Sequence, residues 1–240
     1  MADGTDTGGS TVRISRRKLL SWAGVASVVA AVGGLAYRHF SSTSAVKVAS
    51  FSTTGAGQKK NILVLTGSGR TRGNSDRLAE AFIRGAREAG HTVNAFHTGR
   101  EPMSACLHCE GCWSNGKPCV IEDSFGKLYP LLEQAELLVF CSPLYWYNFS
   151  GHIKCAMDRM YPYSRKNRLR DMQVKEAMLL MCGQSHFLRS FAGPAEAYRQ
   201  MLGFKGWKDR GRLFVTGVDD LDEIIGNRAL TTAEDMGRKA

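Results

Sequence analysis

Residues 61–75 read Asn61-Ile62-Leu63-Val64-Leu65-Thr66, then Gly67-Ser68-Gly69-Arg70-Thr71-Arg72-Gly73-Asn74-Ser75. The first six make a short apolar run rich in β-formers that stops at Gly67, the pattern of a strand buried on both faces. From Ser75 onward Leu78, Ala79, Phe82, Ile83 and Ala86 recur at helical spacing, and Gly90 ends the helix. Strand, glycine-rich loop and helix in that order begin a parallel sheet. The loop falls at the carboxyl end of the strand, where such sheets bind ligands.

The alternation continues along the chain. Residues 92–97, 137–141, 177–182 and 212–218 are further strands, and 124–134, 150–160 and 191–202 are helices. The tail from Asp219 is polar and ends in a helix near 232–239. Five strands at this spacing predict one α/β domain over 59–240: a doubly wound parallel sheet in flavodoxin-like order 2-1-3-4-5, with helices on both faces. The composition, 43% hydrophobic and 22% charged in 240 residues, excludes a disordered, collagen-like or polytopic membrane chain. The net charge is +10, and residues 1–50 hold six basic residues against two acidic. No basic run interleaved with aromatics occurs, so nucleic acid is not an expected partner.

The front of the chain looks like an address. Arg16-Arg17-Lys18 precedes an uncharged stretch from Leu19 to Tyr37 rich in Ala, Val, Gly and Ser. Paired arginines before a weakly apolar stretch resemble a twin-arginine export signal, with a single membrane anchor as the alternative. Residues 1–37 are therefore expected to be a signal or anchor and 38–58 a flexible linker. The expected location is the periplasm or cell envelope.

Three loops after strands carry the chemistry. The first, 67–75, offers Ser68, Arg70, Gly73, Asn74 and Ser75, which suit a phosphate at a helix start. A polar turn capped at Asn74 or Ser75 explains the same residues. The second holds Pro143, Leu144, Tyr145, Trp146, Tyr147 and Asn148, which suit the border of a flat heteroaromatic ring. A hydrophobic cluster or an oligomer contact is the plainer alternative. The third, from Cys182 to His186, adds Gly183 and is weak alone. No Ser/His/Asp triad or carboxylate pair stands out.

On Gly67-Ser68, Arg70, Gly73-Asn74-Ser75, Ser142 to Trp146, Asn148, Lys154 and Asp158-Arg159, residues 60–162 resemble the flavodoxin-like NADPH-dependent FMN reductases. Gly69 stands where many members of that family have Pro. The resemblance implies FMN, with phosphate on the first loop and isoalloxazine against the second.

A cysteine-rich loop spans 101–123. Cys106, Cys109 and Cys112 are evenly spaced and Cys119 follows. Four thiolates can surround one centre. The spacing resembles the iron–sulfur flavoproteins, which implies one [4Fe–4S] cluster beside FMN. Zinc, two disulfides, or a relic motif without a cluster stay open. Cys141, Cys155 and Cys182 read as buried structural cysteines.

The expected function is an FMN-dependent oxidoreductase acting on small electron acceptors such as quinones or flavins. An electron-transfer carrier without its own substrate is the alternative. An exported chain implies a membrane or extracytoplasmic donor rather than NAD(P)H. A homodimer or higher homo-oligomer is expected.

Overall fold

The structure, a computed structural model, describes residues 58–164 and 170–240. The expected leader, 1–37, and all of the linker except residue 58 lie outside them. The sheet has five parallel strands: β1 (Asn61–Thr66), β2 (Thr92–His97), β3 (Leu137–Pro143), β4 (Glu176–Gly183) and β5 (Lys208–Thr216). Their order is β2-β1-β3-β4-β5, as the spacing predicts. β1 is thus flanked by β2 on one side and β3 on the other, with Ile62 opposite Leu137 and Asn61 opposite Thr92. The chain reverses its direction of winding between β1 and β3, which opens a crevice at the carboxyl ends of those two strands.

The alternation along β1 sorts the core into two layers. Ile62 and Val64 face α1 (Asn74–Glu88) and α5 (Ala229–Arg238). Leu63 and Leu65 face α2 (Phe125–Gln134), α3 (Gly151–Asp158) and α4 (Ala192–Lys205). Successive side chains on a strand point to opposite faces, so one apolar run supplies both layers. α1 and α5 cross with their backbones in close approach. A Cβ built on Gly85 would lie 1.9 Å from the Glu234 carbonyl oxygen, and one on Gly237 would lie 2.1 Å from that of Phe82.

Two element starts differ from the expectation by more than one residue. β5 begins at Lys208 and ends at Thr216, before the expected 212–218. Its first residues are polar but paired: Arg210 is buried and meets Glu176 Oε1 at 3.4 Å, and Lys208 N–H donates to the Lys175 carbonyl. Gly217 then takes a left-handed φ of 69° and ends the strand. α5 starts at Ala229 rather than near 232, because Ala229 and Ala233 pack into the first layer. Among the described residues no helix is long and apolar enough to cross a membrane.

Candidate functional site

The loops after β1, β3, β4 and β5 meet around a cavity of about 180 Å³. Nine of the twelve expected cofactor residues line it: Ser68, Arg70, Gly73, Asn74 and Ser75 from the first loop, Pro143, Leu144 and Tyr145 from the second, and Gly183 from the third. A second, more open cavity of about 460 Å³ shares Leu144, Tyr145 and Gln184 with it and adds Trp146 and Tyr147. Together they form one trough, with a helix N-terminus at one end and aromatic side chains at the other.

The aromatic end is a tight two-residue turn. Tyr145 N–H donates to the Asn148 carbonyl at 3.0 Å and Asn148 N–H to the Tyr145 carbonyl at 2.9 Å. Trp146 and Tyr147 sit between them with φ of 46° and 60°. Left-handed backbone at two bulky residues is a strained choice that concentrates at functional sites. It leaves Trp146 95% exposed. Asn148 serves as the closing residue of this turn, its Oδ1 accepting from Phe149 N–H.

At the other end the phosphate-type loop is held from several sides. Ser68 is buried, and its Oγ both accepts from Arg70 N–H at 3.0 Å and donates to the Arg70 carbonyl at 3.1 Å. The N-cap of α1 is Gly73, without a side-chain cap bond, so neither Asn74 nor Ser75 is the cap. The backbone N–H groups of Asn74, Ser75 and Asp76 have no acceptor within the helix, which makes an anion site. Below the loop, Arg100 Nη1 donates to Asp76 Oδ2 at 2.8 Å, and Arg100 also meets His97 Nδ1. Burial lowers the His97 pKa and the Arg100 charge adds to that, so the imidazole is neutral at pH 7.

The loop after β5 is the wall that sequence reading missed. Val218, Asp219, Asp220 and Leu221 all border the cavity. Arg70 Nη1 donates to the Asp219 carbonyl at 3.1 Å. Asn74 clamps the same loop, its Nδ2 donating to the Asp220 carbonyl at 2.9 Å and its Oδ1 accepting from Ile224 N–H at 3.1 Å. Asn74 therefore anchors a wall with both ends of its amide. Arg77 and Arg72 bond Asp222 from α1 and the first loop, and the Arg77 hydrogen bond holds the Asp222 carboxyl below its usual range.

Cys141 and Cys182 are buried as expected, whereas Cys155 is half-buried. Burial pushes the Cys182 thiol up to about 12, and the Asp76 charge adds to it. Cys182 borders the trough, yet it keeps its proton at neutral pH. Cys141 Sγ donates to the Ser75 carbonyl at 3.0 Å.

The four clustered cysteines border a separate small cavity, together with Arg159 and Tyr161, which shares no lining residue with the trough. Among the described residues none of the cysteines is disulfide-bonded. His108 N–H donates to Cys106 Sγ at 3.4 Å, and His108 and Glu110 take left-handed φ of 52° and 58°. These reversals turn a contiguous loop around one cavity. Burial raises the Cys112 pKa, and the charges of Cys119, Cys106 and Cys109 add to it. Among the described residues, no three His, Cys, Asp or Glu donors converge on a single metal-ion position.

A family profile described as NADPH-dependent FMN reductase matches residues 60–207. The chain belongs to that family. This FMN reductase-family chain is 25% identical over 183 residues to a Bacillus subtilis protein named as an NAD(P)H-dependent FMN-containing oxidoreductase, covering 75% of the chain and 97% of that protein. It is 28% identical over 106 residues to an iron–sulfur flavoprotein of Archaeoglobus fulgidus, covering 44% of the chain and 48% of that protein. The chain thus spans about half the length of that relative. The fold is shared with an NAD(P)H:quinone oxidoreductase from Methanothermobacter marburgensis, at a TM-score of 0.61 and 21% identity over 75% of this chain and 96% of that one. The family match stops at residue 207, so the wall after β5 lies beyond it.

The trough fits the family's FMN. Its donor set at the α1 end suits a phosphate. Gly183 leaves the slot beside Leu144 open, since a Cβ there would lie 2.8 Å from Leu144 Cβ. The cysteine cavity is lined by four thiols that do not converge on a single metal-ion position.

Proposed function

We propose that the chain is an FMN-dependent oxidoreductase that passes electrons to small acceptors such as quinones or flavins. The observation that carries this reading is the continuous trough, with helix amides and Arg70 at one end and an exposed aromatic turn at the other. FMN, when bound, supplies hydride and single-electron transfer. The first-turn amides of α1 and Arg70 hold its phosphate. Pro143, Leu144 and Gly183 border its ring, and Trp146 and Tyr147 line the open side where a flat acceptor rests. Cys182 stays protonated and adds no competing nucleophile.

The test is titration of apo-protein with FMN. A charge-assisted hydrogen bond to phosphate contributes about 1.5–3 kcal/mol. Arg70 is exposed and already bonds the Asp219 carbonyl, so Arg70→Ala is expected at the low end, about a tenfold loss of affinity. Equal affinities would remove Arg70 from the site, and no binding by either protein would remove FMN. Turnover of a small quinone separates an enzyme from a carrier, which would reduce protein partners alone.

The same reading assigns Cys106, Cys109, Cys112 and Cys119 to one [4Fe–4S] cluster. Their common cavity, the N–H···S bond and the iron–sulfur relatives support it. It also takes the mature protein outside the inner membrane, supported by Arg16-Arg17 before an uncharged stretch, and further takes it as a homo-oligomer fed by a membrane or extracytoplasmic donor. Arg16→Lys with Arg17→Lys keeps charge and length but removes a receptor-read signal. The double variant is expected to stay inside the inner membrane on fractionation, and an exported variant would defeat the signal.

A further inference from the structure

Arg159 follows α3 and is 1% exposed, an unusual place for a guanidinium. Its donors reach both feet of the cysteine loop. Nη1 donates to the Ser104 carbonyl at 3.3 Å, just before Cys106, and Nη2 donates to the Ile121 carbonyl at 3.2 Å, just after Cys119. Nη1 also meets Asp123 Oδ2 at 2.5 Å. Asp123 repeats the clamp with its carboxylate, accepting from Ser104 N–H at 2.8 Å and Phe125 N–H at 3.0 Å. The Phe125 ring lies 4.5 Å beneath the guanidinium carbon. A planar fork that spans two carbonyls and a carboxylate is a task a lysine cannot repeat.

The ion pair is also oriented. Arg159 borders the cysteine cavity, whereas Asp123 is not among its lining residues. The Nε–H of Arg159 is buried and has no acceptor among the described residues. A buried donor without a protein partner calls for an explanation, and a bound anionic group is one. Here it belongs to a cation at the edge of a cavity lined by four thiols.

We propose that Arg159 is the positioning residue of the cysteine site: it fastens both feet of the loop so that four sulfurs share one cavity, and it places a buried positive charge beside the anionic group they bind. This rests on the reading that the cysteines hold an iron–sulfur cluster. Four thiolates around such a group carry net negative charge, which grows on reduction. A nearby buried cation favours the reduced form, so removing it lowers the reduction potential.

The experiment compares the whole chain as wild type, Arg159→Lys and Arg159→Met. Iron and acid-labile sulfide per chain are measured after anaerobic reconstitution, and midpoint potentials by redox titration followed by electron paramagnetic resonance. Arg159→Met is expected to load at least threefold less iron, and its loaded fraction to titrate at a lower potential. Arg159→Lys loses the fork but keeps the charge, so its loading falls while the potential of the loaded fraction stays near wild type. A purely structural role would lower loading in both and leave both potentials unchanged, which overturns the electrostatic half. Full loading of Arg159→Met overturns the clamp. FMN affinity, read at a trough that shares no lining residue with this cavity, reports that the fold survives. If the wild type takes up no iron, the cluster reading has failed, and the clamp is judged on the apo chain alone. There Arg159→Met is expected to speed maleimide labelling of Cys106 and Cys119 at least tenfold, and unchanged rates overturn it.

Discussion

Cys109→Ser is expected to reduce the metal content of the anaerobically reconstituted chain from four irons and four sulfides to none. Cys109 is exposed and stands between His108 and Glu110, both held in left-handed backbone. Those two reversals present its sulfur to the same cavity as Cys106, Cys112 and Cys119. A serine there has nearly the same volume, so the loop keeps its path. What it loses is an ionisable sulfur, because the thiolate is the ligand and a hydroxyl does not deprotonate at neutral pH. The loop is poorly placed to compensate. It is short of other buried packing, with Leu107 72% and Val120 44% exposed. Four irons in wild type and none in the variant support the cluster. Stoichiometric zinc in wild type would give the site to a single ion, although the donors do not converge on one position. Two disulfides without metal would sink the cluster and leave a plain flavin reductase.

The fold was legible because its strands are continuous apolar runs. A strand covered on both faces needs apolar residues along its centre, and β1, β3 and β4 have them at 62–65, 137–141 and 177–182. β5 is an edge strand, and its first residues are paired by hydrogen bonds and charge rather than by burial alone, so its start carried no hydrophobic signal. The trough was legible where it is built from contiguous loops: the run from Ser68 to Ser75 and the run from Pro143 to Asn148 each announce themselves. The wall at Val218–Leu221 contributes through carbonyls that bond Arg70 and Asn74 from about 150 residues away, and residue type says nothing about a carbonyl. One signal was at hand. Every loop after a parallel strand lies at the same edge of the sheet, so naming the last strand should have named the loop after it. The clamp that Asn74 makes on this wall was illegible for the same reason. Its amide has the right chemistry for phosphate, but the partner that takes it is remote in sequence.

Gly99→Ala is expected to weaken FMN binding at least a hundredfold while the sheet stays intact. Gly99 sits in the turn after β2, directly behind the phosphate-type loop. A Cβ built on it would lie 2.2 Å from the Ser68 carbonyl oxygen, 2.4 Å from its carbon and 2.7 Å from Gly69 N. All three are backbone atoms, so no side chain can swing aside. The turn cannot retreat easily either. Thr98 bonds the Thr66 carbonyl through its N–H at 2.9 Å and through its Oγ1 at 2.8 Å. On the other side Arg100 is tied to Asp76 at 2.8 Å. The methyl group therefore displaces the loop, at a stability cost of about 1–3 kcal/mol typical of overpacking. Displacement moves Ser68, the Arg70 backbone and the entry to α1 together. Losing two or three hydrogen bonds of about 1–1.5 kcal/mol each amounts to roughly 3 kcal/mol, or about a hundredfold in affinity. Gly69→Ala is the control, with the same added methyl in the same loop. There the nearest atom to a Cβ is the Gly99 carbonyl oxygen at 3.6 Å, an ordinary contact. Fluorescence titration of the two apo-proteins with FMN should separate them by more than an order of magnitude. Equal affinities would mean that the flavin phosphate does not rest on this loop.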